Sequence, residues 1–209
     1  MDLNELAQKI EQGNRKAVVE LVQKALSEQV SASDILNDGL VKGMASLGEK
    51  FKNNEVYVPE VLIAARAMNE GMKILEPILV KDGVKPKGTV VIGTVKGDLH
   101  DIGKNLVAMM LKGAGYKVVD IGVDRPAEMF IDESRKNGAN IIALSALLTT
   151  TMVEMEDVVS KVRASDIKGI RIIIGGAPIS QGYSDKILAD GYAADAASAV
   201  DLCDKLISH

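Results

Sequence analysis

The chain has 209 residues, with 25 Lys plus Arg against 29 Asp plus Glu and a formal net charge of −4; that balance argues against a nucleic-acid protein. Its 47 % hydrophobic and 26 % charged content excludes disorder as the main state, while 3 % aromatics without Trp argue against a Trp-anchored sandwich or a base-stacking platform. One cysteine, Cys203, and two histidines, His100 and His209, rule out an intrachain disulfide framework, a cysteine zinc site and a cysteine-ligated iron–sulfur cluster. The charged, amphipathic start MDLNELAQKIEQ is no signal peptide, and no apolar run reaches the roughly 18 residues of a membrane span. A cytoplasmic protein is expected.

The first 85 residues read as helix throughout. Leu3, Leu6, Ala7 and Ile10 share one helical face. Asn14 caps a second segment with Ala17, Val18, Leu21, Val22, Ala25 and Leu26 facing inward. Ser31 or Ser33 starts a third, carrying Ile35, Leu36, Leu40, Met44 and Leu47. Pro59 suits the start of a fourth, through Val61, Leu62, Ala65, Met68, Met72 and Leu75, and Pro77 should kink or end it. Four helices with short connections predict a small antiparallel bundle over 1–85.

Residues 82–88, DGVKPKG, read as a linker, after which the grammar changes. Six of the 19 glycines precede residue 86 and thirteen follow. The runs TVVIGTV, KVVDIGV, NIIALSAL and RIIIGGAP alternate with helix-like segments, and a shorter strand is expected near Tyr192–Asp195. Val and Ile runs without polar alternation indicate strands buried on both faces, hence a parallel sheet. The prediction for 88–209 is an α/β domain with a five-stranded parallel sheet in the flavodoxin-like order 2-1-3-4-5, whose ligands bind at the carboxyl ends of the strands.

The loop after the first of these strands reads GDLHDIGKN and contains His100, the internal histidine. A helix should begin near Ile102, which puts His100 at the ligand edge. Asp98, two residues earlier, can bond one imidazole nitrogen and leave the other for a metal. Gly103 lacks a Cβ and lets a large group approach the backbone. The residues alone leave three readings open: a solvated loop histidine, a general acid–base pair, and an oriented metal ligand. Two further strand ends carry SALLTTT, with Ser145, Leu147, Thr149 and Thr151, and GGAP, with Gly175 and Gly176. Hydroxyls and bare backbone there suit a polar tail inserted between strands.

Asp98, His100 and Gly103 form DxHxxG; after the 41 residues 104–144, Ser145 and Leu147 form SxL; after the 27 residues 148–174 come Gly175 and Gly176. This three-part pattern resembles the signature of domains that bind cobalamin base-off and His-on. In the first half, GMASLGEKF followed by VYVPEVLIAARAM looks like the helical cap of corrinoid methyl-transfer proteins. The whole chain resembles the stand-alone corrinoid proteins of methanol, methylamine, betaine and methoxyaromatic methyltransferase systems. The implied architecture is a four-helix-bundle cap (1–85) on a flavodoxin/Rossmann-like cobalamin-binding domain (88–209).

The resemblance implies a corrinoid cofactor, as methylcobalamin, cob(II)alamin or hydroxocobalamin. His100 becomes the lower cobalt ligand and Asp98 its hydrogen-bond partner; Thr151 stands where a related methionine synthase module completes the relay with a serine. Asp101, Ile102, Gly103, Ser145, Leu147, Thr149, Gly175 and Gly176 would border the cofactor and its tail. Met44, with Leu47, Phe51 and Val58, would belong to a cap over the methyl-bearing face. The implied function is a methyl carrier, not catalytic alone. It would accept a methyl group on Co(I) from a substrate-specific methyltransferase and donate it from methyl-Co(III) to a second methyltransferase acting on tetrahydrofolate or coenzyme M. A reductive activase would be a third partner; neither nucleic acid nor membrane is expected. The competing expectations are a cobalamin-dependent sensory module and the small subunit of an adenosylcobalamin mutase.

Overall fold

The structure is a computed structural model and describes residues 2–208. It divides into two compact units, one of residues up to Pro86 together with Lys112–Gly115, the other of Lys87–Leu111 and the chain from Tyr116 onward.

In the helical unit, α1 (Leu3–Glu11) is capped by the Asp2 carboxylate, which accepts the Asn4 amide at 2.8 Å. In α2 (Arg15–Ser27) the Asn14 side chain accepts the Ala17 amide at 3.1 Å, as its position predicts. The third helical path starts at Ser31, whose hydroxyl accepts the Asp34 amide at 3.0 Å. It runs through α3 (Ala32–Asp34), a π-helical segment Ile35–Val41, and α4 (Lys42–Lys52). The last helix, α5 (Val58–Lys81), has Pro59 in its first turn and Glu60 accepting the Tyr57 amide at 3.1 Å. Of the two outcomes expected of Pro77, a kink or an end, the end does not occur: α5 continues to Lys81. Leu75 and Leu79 are buried on either side of it while Pro77 itself is exposed, so the docked inner face holds the final turn despite the missing N–H donor. Leu6, Ile10, Val18, Val22, Ile35, Leu40 and Leu75 are fully buried and form the core of this unit.

The π-helical segment is not written in the apolar periodicity; its side-chain stripe reads as ordinary helix. A Cβ on Gly39 would lie 2.5 Å from Leu6 Cδ2, and one on Gly43 2.5 Å from the Ala7 carbonyl oxygen. Four residues apart, these glycines let α1 lie directly on this helix.

The second unit contains β1 (Thr89–Thr94), α6 (Ile102–Gly113), β2 (Lys117–Asp120), α7 (Ala127–Asn137), β3 (Ile141–Ser145), α8 (Glu154–Ala164), β4 (Arg171–Gly175), α9 (Gln181–Lys186), β5 (Gly191–Ala193) and α10 (Ala196–Ile207). The sheet order is β2-β1-β3-β4-β5, every pairing parallel, as the run-and-helix alternation predicts. β1 is buried at all six positions, and Ile142, Ile172, Phe130 and Met155 anchor the packing of helices on one face. The register places Thr94 opposite Ser145 and Ser145 opposite Gly175, so three strand ends finish side by side. Among the described residues no helix is long and apolar enough to cross a membrane.

Replacing Gly43 with Ala should destabilise the protein by about 2 kcal/mol, because the new methyl meets the backbone of α1 and cannot be relieved by a rotamer change. Gly83→Ala, where nothing lies within 4 Å but φ is +70°, should cost about 1 kcal/mol from backbone strain alone. Urea unfolding followed by circular dichroism separates the two.

Candidate functional site

The site begins where β1 stops. Val95 continues the ladder by donating to the Ser145 carbonyl at 3.0 Å, and the chain then turns at Gly97, whose φ is +79°. The Asp98 amide closes the turn on the Val95 carbonyl at 3.2 Å, and the Thr94 hydroxyl donates to the His100 carbonyl at 2.9 Å. His100 is thus tied back to the end of its own strand.

Asp98 has no exposed surface, and its carboxylate accepts four hydrogen bonds. Oδ1 takes the His100 amide at 3.0 Å and His100 Nδ1 at 2.8 Å. Oδ2 takes the Leu147 amide at 2.8 Å and the Thr151 hydroxyl at 2.6 Å. The Thr151 oxygen also lies 3.1 Å from the Leu148 carbonyl, but its one proton favours the nearer, charged acceptor. Burial would raise the Asp98 pKa. The bonds from Thr151, the Leu147 amide and the His100 amide and ring outweigh it and hold the carboxyl well below the usual carboxylate range.

An ionised carboxylate can only accept, so the Nδ1–H of His100 donates to it, and Nε2 of the neutral ring carries a lone pair. The imidazole is half-exposed, and Nε2 has no hydrogen-bond partner among the described residues. Around it Leu99 and Ile102 are 72 % and 82 % exposed, and a Cβ on Gly103 would meet nothing within 4 Å. Asp101 accepts the Asn105 amide at 2.7 Å through its carbonyl and the Asn105 side chain at 3.0 Å through its carboxylate, which fixes the start of α6.

The structure brings Asp98, His100, Leu147 and Thr151 into one hydrogen-bonded group, and the register sets Ser145 beside Gly175. Leu147 is 43 % exposed; Thr149 is exposed and makes no hydrogen bond with this group. Gly176 has a reason of its own to be glycine: φ is +134°, and a Cβ would lie 1.9 Å from the Ala146 carbonyl oxygen. Met44 and Leu47 are buried in the helical unit, whereas Phe51 is half-buried and Val58 exposed. His209 lies outside the described residues.

Sequence reasoning missed Lys104. Its side chain is buried and its Nζ bonds the Asp120 carboxylate and, at 2.8 Å, the Asn105 side chain, joining the first turn of α6 to the end of β2. A lysine inside the GKN run was a visible signal, but its partner sixteen residues away was not.

No group of three or more His, Cys, Asp or Glu that could hold a bare metal ion occurs among the described residues. One oriented imidazole would supply a single metal ligand. The donor set therefore suits a metal already held by a macrocycle, with open space at Gly103 and exposed apolar groups at Leu99 and Ile102 to receive it.

Fold and site together define an α/β domain of the open parallel-sheet type, with an oriented histidine at its carboxyl edge, where ligands of such folds bind. Models of the B12 binding domain match residues 88–201 and, for the helical half, residues 2–76. The chain is 42 % identical to Corrinoid protein DSY3155 of Desulfitobacterium hafniense, over 98 % of this chain and 97 % of that protein. It is 39 % identical to Dimethylamine corrinoid protein 3 of Methanosarcina acetivorans, over 98 % and 96 %. Its fold matches the crystal structure of the methanol:cobalamin methyltransferase complex MtaBC of Methanosarcina barkeri with a TM-score of 0.86 and 33 % identity, covering 97 % of this chain and 78 % of that one. The chain belongs to the B12-binding corrinoid proteins of methyltransferase systems.

Because the folded-state pKa of Asp98 is lowered, its stabilising contribution is complete above the unfolded value of about 3.9 and fades as pH falls toward the folded one. Asp98→Asn should cost about 3 kcal/mol at pH 7, and the gap to wild type should begin to narrow below about pH 4 and keep shrinking as pH falls further. Urea unfolding across pH 2–8 measures this.

Proposed function

We propose that this protein carries a methyl group on a corrinoid whose cobalt is held from below by His100 Nε2. The observation that carries the reading is the pairing of a buried, fourfold hydrogen-bonded Asp98 with a half-exposed imidazole whose Nε2 has no hydrogen-bond partner among the described residues. When bound, the corrinoid supplies the metal centre that accepts and gives up the methyl group.

Each protein residue then has a definite task. Asp98 keeps the proton on Nδ1, fixes the ring plane and makes Nε2 a better donor. The Thr151 hydroxyl and Leu147 amide keep Asp98 ionised inside the domain. Gly103 leaves room at the mouth, flanked by Asp101 and the apolar Ile102. Ser145, Leu147, Thr149, Gly175 and Gly176, at and just beyond the ends of β3 and β4, would line the edge that receives the cofactor tail. Of the residues expected to face the upper side, Phe51 and Val58 offer accessible surface, while Met44 and Leu47 are buried.

A methyl carrier of this kind is not catalytic alone. Its partners in this reading are a substrate-specific methyltransferase that loads it, a second methyltransferase that unloads it to tetrahydrofolate or coenzyme M, and a reductive activase. Support for such partners comes from relatives whose names place them with dimethylamine, and from the likeness to a methanol:cobalamin methyltransferase complex. A cytoplasmic setting belongs to the same reading.

The test is a visible spectrum after loading with hydroxocobalamin and desalting. Wild type should retain the corrinoid with a His-on spectrum, and His100→Ala should turn it base-off. Asp98→Asn should bind about tenfold or more weakly, the usual effect of losing the partner that orients a ligating histidine. Wild type that emerges without corrinoid defeats the reading.

A further inference from the structure

The Asp98 carboxylate is held from the β3 side, by Leu147 and Thr151. Its backbone is held from the opposite side, by a loop that no part of the site has yet used. The chain leaving β2 stays with the end of β1: the Ile121 amide donates to the Ile92 carbonyl at 2.9 Å, the Thr94 amide to the Gly122 carbonyl at 2.9 Å, and the Arg125 amide to the Thr94 carbonyl at 3.0 Å. Val95 and Arg125 form an isolated parallel bridge. Between those contacts sits Asp124. Its carboxylate Oδ1 accepts the Gly97 amide at 2.7 Å, and its own amide donates to the Asp98 carbonyl at 2.9 Å. These two bonds grip the Gly97–Asp98 dipeptide from both ends.

Asp124 does this at φ +54°, in the left-handed region that a non-glycine residue seldom adopts. Aspartate is among the few side chains that tolerate it. The turn that presents it is braced as well. Asp120 accepts the Gly122 amide at 2.9 Å through one oxygen and the buried Lys104 ammonium through the other. An ion pair with a buried lysine, a tight turn and an acidic residue in the left-handed region thus converge on the two residues that precede Leu99 and His100.

We propose that Asp124 is a positioning residue for the cobalt ligand, clamping the Gly97–Asp98 backbone so that the Asp98 carboxylate and the His100 ring share one fixed geometry. The proposal rests on the corrinoid reading of His100. The Asp98 carboxylate has all four of its bonds committed to His100, Leu147 and Thr151 and does not hold its own main chain. Asp124 supplies that missing restraint through a charge-assisted bond. With it gone, the Gly97 turn can rotate and carry the imidazole away from the position a macrocycle requires.

Three forms of the full chain separate the possibilities. Asp124→Gly keeps the left-handed backbone without strain and removes only the acceptor. Asp124→Asn keeps an acceptor oxygen and a residue type that tolerates the conformation. The first readout is amide hydrogen exchange of Gly97 by NMR in corrinoid-free protein. The second is the His-on fraction and dissociation constant with hydroxocobalamin. Asp124→Gly should exchange the Gly97 amide about tenfold faster and bind hydroxocobalamin several-fold more weakly with a smaller His-on fraction, and Asp124→Asn should restore both to within about threefold of wild type. Unchanged Gly97 exchange in Asp124→Gly, faster exchange with a wild-type His-on fraction, or Asn behaving like Gly each overturns the proposal while leaving the corrinoid reading intact. Wild type that binds no hydroxocobalamin overturns both.

Discussion

The ionised carboxylate of Asp98 is the point on which the rest of the site turns. An acidic group with no exposed surface survives as an anion only if it is fully hydrogen-bonded, and here two backbone amides, an imidazole and a hydroxyl meet that requirement. Those donors come from two strand ends, so the sheet register is a condition for the charge. The charge in turn dictates which imidazole nitrogen holds the proton. Fold, ionisation state and ligand direction are therefore one linked arrangement.

The same dependence explains why strand order matters more than strand length. β1 and β3 are adjacent and in register at Thr94 and Ser145, which brings Leu147 and Thr151 within reach of a residue roughly fifty positions earlier. β4 places Gly175 next to Ser145, and the chain beyond it packs Gly176 directly on the Ala146 carbonyl. A glycine at 176 thus serves the protein's own backbone packing, whatever else borders it.

The legible parts of the fold were those carried by local sequence. Parallel strands covered on both faces appear as unbroken Val and Ile runs, so β1 to β4 and their order could be read directly, and β5 was placed to within a residue or two. The Asp98–His100 contact spans two residues and was equally visible. Contacts made across strands leave no local trace, and that of Thr151 with Asp98 was expected only from the family resemblance. Lys104 with Asp120, and Asp124 with Gly97, depend on how the loop after β2 lies against the loop after β1, which no periodicity records. In the helical unit Asn14 and Pro59 marked helix starts correctly. Pro77 does not end its helix because burial of Leu75 and Leu79 outweighs a lost hydrogen bond. The π-helical segment left no trace because Ile35, Leu36 and Leu40 fit an ordinary helix equally well.

Leu99 and Ile102, on either side of His100, are largely exposed, and Leu147 is nearly half-exposed. Hydration of such apolar surface has a large heat capacity, and covering it releases that water. Ligand capture at this edge should therefore carry a negative heat-capacity change, with the enthalpy of association growing more favourable on warming. In the proposed function a metal–imidazole bond would provide direction, and the apolar flanks would provide a calorimetric signature that a metal–histidine contact on a polar surface lacks.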